Sequence, residues 1–199
     1  MNMLIRLISV TAFAVVTAIP GFASPAQGKP MDDLTAFTAG GWKVLESKVA
    51  DLDNDGRPDM LLILDPPSSG TENAAQGTAR RVLILTRSAE GQLQKSAVND
   101  RLVPCATCGG AAGDPYGYAQ ATAGNFKIVV GGGSREHWSD EYTFLYSTEE
   151  KDWFVQHVLR RVDDTETGKH QEVNVEGVTL GHVRFSTFDP ATLPEATLP

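Results

Sequence analysis

Past residue 40 the apolar residues of this chain fall in short runs rich in β-branched and aromatic side chains, separated by Gly, Pro, Asn and Asp. That spacing suits strands and turns and leaves little room for core helices. The runs are Trp42 to Val49, Met60 to Leu64, Arg81 to Thr86, Leu93 to Val98, Lys127 to Val130, Glu141 to Tyr146, Trp153 to Val162, Val173 to Val175 and His182 to Phe188. Several alternate as half-buried strands do. Tyr142, Phe144 and Tyr146 form one face, and Trp153, Val155, His157 and Leu159 form another. Only Met31 to Phe37 suggests a helix, and a short one. The expected class is all-β, an antiparallel meander of hairpins that is either propeller-blade-like or a sandwich.

A weak internal repeat refines this reading. The segments 82–93 and 142–153 both read strand, turn, strand, with eleven residues between their paired apolar positions. Two four-stranded units, about 42–99 and 117–163, produce this pattern, and so does the chance spacing of an ordinary meander.

Residues 1–23 have the order of a cleavable signal peptide: Arg6, a thirteen-residue apolar run from Leu7 to Ile19, then Pro20, Gly21, Phe22 and Ala23. Thirteen helical residues reach only about 20 Å, too short for a bilayer core of roughly 30 Å. Cleavage after Ala23 leaves 176 of the 199 residues and takes the formal charge from −8 to −9 with the loss of Arg6. The product is expected in a periplasm or outside the cell, without stable membrane insertion. Residues 24–41 read as a linker carrying the short helix, 42–188 as a single β domain, and 189–199 as a flexible, proline-containing tail. A charge of −8 lacks the phosphate-neutralising footprint of a nucleic-acid binder.

The strongest chemical signal is Asp51-Leu-Asp-Asn-Asp-Gly-Arg-Pro-Asp59. Carboxylates at loop positions 1, 3, 5 and 9 with Gly at position 6 supply hard oxygen donors around a tight reversal, as calcium requires. Asp51, Asp53 and Asp55 are the expected side-chain ligands, Arg57 the backbone carbonyl donor, and Asp59 a direct or water-mediated ligand. An EF-hand is excluded because position 12 is Leu62 and an apolar strand follows. The DxDxDGxxD pattern running into such a strand resembles the calcium loop of FG-GAP and VCBS-type repeats of integrin-like and bacterial exported proteins. That resemblance, over roughly 42–99, implies that the loop joins two strands of a propeller blade and that Ca2+ stiffens the turn. Only one such loop is present, and 176 residues are too few for a ring of about seven four-stranded blades.

Cys105 and Cys108 in Pro-Cys-Ala-Thr-Cys-Gly-Gly favour a structural disulfide in an oxidising compartment. A redox CxxC and a mixed metal site with histidine stay open. Gly131-Gly-Gly-Ser-Arg-Glu-His-Trp138 lacks the ending of a phosphate-binding loop, but Ser134, Arg135, His137, Trp138 and Asp140 give it the composition of a binding surface. Ser134, His137 and Asp140 also make a hydrolase triad on paper, without the elbow such a triad needs. Asp163, Asp164 and Glu166 before Gly168 read as a solvated hairpin turn, and His157, His170 and His182 have no ligand spacing. The functional expectation is a non-catalytic module that presents loops 131–140 and 109–118 to a macromolecule or glycan. The alternative is an inhibitor or immunity protein acting on an envelope-targeting enzyme.

Overall fold

The computed structural model describes residues 32–67 and 77–199, so the expected signal peptide at 1–23 lies outside the described residues. Among the described residues nine strands form: β1 (Lys43–Ala50), β2 (Asp59–Asp65), β3 (Arg80–Arg87), β4 (Leu93–Val103), β5 (Tyr116–Thr122), β6 (Asn125–Gly133), β7 (Glu136–Ser147), β8 (Asp152–Asp164) and β9 (His170–Glu176). They make two antiparallel meanders, β1-β2-β3-β4 and β5-β6-β7-β8-β9. The all-β class is thereby met with sheets of four and five strands. The hairpins expected at 82–93 and 142–153 are β3–β4 and β7–β8.

Burial explains the character of the runs. Leu61, Ile63, Val82 and Ile84 of the first sheet share a core with Phe126, Ile128, Tyr142, Phe144, Val155 and Val158 of the second. On the other face of the first sheet, Met60, Leu62, Leu64, Leu83 and Leu85 pack under Leu34, Phe37 and Trp42. β2 is therefore buried on both faces, which is why it is an unbroken apolar run instead of an alternating one.

Four local expectations change. Residues 34–38 make a single hydrogen-bonded turn, Thr38 N to Leu34 O at 3.0 Å, in place of a helix. β5 arises from Tyr-Gly-Tyr-Ala-Gln-Ala-Thr, whose small residues carry little apolar signal, and it pairs with β6 along its length. His182 to Phe188 is not a strand. It makes one bridge, Phe154 with Arg184, and then a 3-10 turn at Phe185–Thr187. That turn drives Phe185 and Phe188 edge-on against Phe144, at 5.3 and 5.7 Å between ring centres. Asn99 secures it by donating from Nδ2 to the carbonyls of Phe185 and Phe188 at 2.6 and 2.8 Å.

The fourth change is in β8. Thr143 faces His157 while Phe144 faces Val155, so Gln156 is an extra residue, a β-bulge. Trp153 and Val155 consequently share the inward face with Val158, Arg160 and Val162, and the alternation expected through His157 and Leu159 breaks at the bulge.

Candidate functional site

The acidic residues lie in the loop between β1 and β2, closed by the pairing of Ala50 with Asp59. Asn54 at φ 59° and Gly56 at φ 85° turn the chain through left-handed backbone, where Asn and Gly are the tolerated residues. Asp59 is 0% exposed and organises the loop from beneath. Its Oδ2 accepts the amides of Leu52 and Asp53 at 2.8 and 3.2 Å, and its Oδ1 accepts that of Arg87, in β3, at 2.8 Å. Asp51 accepts the amides of Asp55 and Gly56, both at 3.0 Å. Asp53 accepts the Asp55 amide at 3.3 Å.

Oxygen atoms of Asp51, Asp53 and Asp59 all lie within 4.8 Å of one another. Ligands at about 2.3–2.6 Å from a calcium ion sit at most about 5 Å apart, so this spacing is that of one coordination sphere. A carboxylate offers about four lone-pair positions, and the three amides on Asp59 leave one for an ion. Burial, reinforced by the charges of Asp59 and Asp55, pushes Asp53 up to about 6. Burial also raises Asp59, against the pull of its three amides. The donor set is all oxygen and Asp53 lies among like charges, which fits a hard divalent cation. Asp53 also lines an open polar hollow of about 210 Å3 with Thr86, Ser96 and Tyr146, giving the cluster access to solvent. Asp55 stands apart from the cluster, paired with the Arg57 guanidinium. Arg57 Nε in turn donates to the Arg87 carbonyl at 2.6 Å.

Sequence reasoning did not find the loop's partners in the second sheet. The Gly124 amide donates to Asp51 O at 2.8 Å, and the Trp153 indole donates to Leu52 O at 3.0 Å. Gly124 sits at φ 65°, left-handed backbone that favours glycine, and a Cβ there would also displace the Asn54 side chain, whose Nδ2 lies 2.4 Å from that position.

Cys105 and Cys108 are bridged, with their Cα atoms 5.1 Å apart, in the segment joining the two sheets. The glycine run beside this segment has a packing explanation. Gly133 N donates to Gly109 O at 2.8 Å, and a Cβ on Gly132 would lie 2.6 Å from that same oxygen.

The surface expected at 131–140 is a hairpin. β6 ends at Gly133, Ser134 and Arg135 form the turn, and β7 begins at Glu136. Ser134, Arg135 and His137 are exposed, and Trp138 is half-buried against the core. Asp140 is 6% exposed and faces inward, where its Oδ2 accepts the Tyr142 hydroxyl at 2.8 Å and Arg160 Nη2 and Nε at 2.8 and 3.1 Å. His137 and Asp140 fall on opposite faces of the regular strand β7, so Ser134, His137 and Asp140 do not assemble as a triad. Nor is Asp164 a solvated turn residue. It is 3% exposed, takes Arg135 Nη2 at 2.7 Å, and is held at about 2 chiefly by the Thr167 amide.

Between this end of the second sheet and residues 189–198 lies a cleft of about 750 Å3. Val130, Trp138, Tyr142 and Val162 line it from the sheet side, with Arg160 between sheet and segment. Residues 189–199, expected as a tether, run along it: Pro190 is buried and Leu193 packs against the main core. Among the described residues no helix is long and apolar enough to cross a membrane. Comparison of the chain with family models, with characterised proteins and with solved structures gives no match.

Proposed function

We propose that this protein is an exported, calcium-stabilised β domain that acts as a non-catalytic binding module for a macromolecule. The observation that carries the cation is the grouping of Asp51, Asp53 and Asp59 oxygens within 4.8 Å. Arg57, through its carbonyl, and Asp55, once its carboxylate leaves the Arg57 side chain, complete the ligand set. The role of the ion is structural, because the loop it stiffens holds backbone contacts from both sheets. The binding role is supported by the cleft beside Trp138, which pairs aromatic surface with a fixed guanidinium. The expected first residues 1–23 carry the proposal of export.

A site without a bidentate glutamate belongs at the weak end of calcium affinity, roughly 10⁻⁴ to 10⁻³ M. At a few times that concentration the ion adds about 1 kcal/mol to stability. For a domain of this size that amounts to about 2–4 °C in melting temperature. Chelator is therefore expected to lower Tm by that amount, and Asp53→Ala to remove the difference; identical curves with calcium and chelator would defeat the proposal. A pull-down from cell-envelope extract, run in calcium and again in chelator, tests the binding role.

A further inference from the structure

The Trp138 cleft holds a donor whose purpose the cation site does not explain. Asp140 fixes the Arg160 guanidinium through Nε and Nη2, and Tyr142 fixes Asp140. The remaining nitrogen, Nη1, donates to the carbonyls of Leu193 and Pro194 at 3.3 and 3.0 Å. A rigid donor reaching two successive carbonyls reads the main chain of an extended segment, and proline keeps such a segment extended. An aromatic side chain lining the same groove completes the arrangement by which proline-containing peptides are bound.

The segment seated there carries the matching sequence twice. Ala-Thr-Leu-Pro occupies 191–194 and again 196–199. In the first copy Leu193 packs against the core and the Leu-Pro carbonyls meet Arg160. In the second copy Leu198 lines the cleft. Past Pro194 the described hydrogen bonding is the donation from Lys169 Nζ to Pro199 O at 2.9 Å, and Glu195, Thr197 and Pro199 are exposed. The free volume, about 750 Å3, is that of a ligand site even with the segment in place.

We infer that the cleft beside Trp138 and Arg160 is a binding site for an extended Leu-Pro-containing peptide of a partner protein, and that residues 193–198 lie over it as an internal competitor. The inference rests on the reading of the protein as a binding module and names the chemistry of its partner. It does not depend on the cation, whose loop meets the other end of β7 and β8 near Tyr146 and Trp153.

The probe is a fluorescently labelled peptide, Pro-Glu-Ala-Thr-Leu-Pro, titrated by anisotropy against the full chain. A tethered competitor suppresses binding of a free ligand, so L193G/L198G in the full chain is expected to bind the peptide about tenfold more tightly than the unsubstituted chain. If the loss of Leu193 unfolds the chain, the single change Leu198→Gly, at a residue outside the core cluster, is expected to act in the same direction. The pair D140N/R160Q, which removes both charges together, is expected to abolish binding while the calcium-dependent Tm shift persists. A control peptide with Leu replaced by Gly is expected not to bind. Equal affinity for the substituted and unsubstituted chains, no binding to either, or equal binding of the control peptide would overturn the inference. A partner captured in the pull-down but not displaced by excess peptide would leave the binding module standing and remove this site from it.

Discussion

Asp53 and Asp59 differ in what the loop asks of them. Asp59 is engaged by three backbone amides and shapes the loop whether or not an ion is bound. Asp53 accepts one amide, at 3.3 Å, and burial with its acidic neighbours holds it at about 6. Its folded value lies above the ordinary carboxylate value, so the folded chain keeps a proton there that the unfolded chain has already released. Without a cation, stability then falls as pH rises from about 4 to 6, and above that range both states are ionised and the loss is complete. A divalent cation reverses the preference by favouring the ionised form. The Tm increment from calcium is accordingly expected to be full at pH 7 and to vanish on acidification to pH 4, read by calorimetry at matched ionic strength. An increment of constant size across that range would count against Asp53 as a ligand. The odd spacing of aspartates made this grouping legible in the sequence. The pairing of Asp55 with the Arg57 side chain was not, because it depends on a side-chain choice that spacing does not encode.

At the scale of elements, strand existence was largely legible and its exceptions have separate causes. β2 and β3 announced themselves by unbroken apolar runs because sheet faces on both sides are covered. β5 was silent because its pairing with β6 rests on backbone bonds more than on large side chains. At 182–188 the apolar residues belong to a 3-10 plug, and a strand and such a plug carry the same composition. The glycine run at 131–133 read as a loop in the sequence but is the end of strand β6, paired with β7, and its reason, the close approach of Gly109, joins residues far apart in sequence. Gly132→Ala is expected to lower stability by about 1–3 kcal/mol through that backbone clash, measured by urea unfolding. A neutral result would mean the cysteine-bridged segment can move aside.

For the whole molecule, the acidic loop does more than decorate one hairpin. Its carbonyls at Asp51 and Leu52 take hydrogen bonds from Gly124 and Trp153 of the second sheet, so the seam between sheets passes through the loop. Trp153→Phe keeps the ring against Tyr146 and removes the donor to Leu52. Leaving that buried carbonyl unpaired is expected to cost about 1–3 kcal/mol, read by chemical denaturation with and without calcium. No change in either condition would show that the seam is held elsewhere. The bulge at Gln156 has a wider consequence. It acts as a frameshift inside a single strand: residues before it are read in one frame by the core, and residues after it in the other. Arg160 faces inward toward Asp140 only because of that shift. A regular strand that paired Gln156 with Thr143 would turn Arg160 to the outer face and present Leu159 to Asp140, so the cleft at one end of the sheet depends on one residue being left unpaired in its middle.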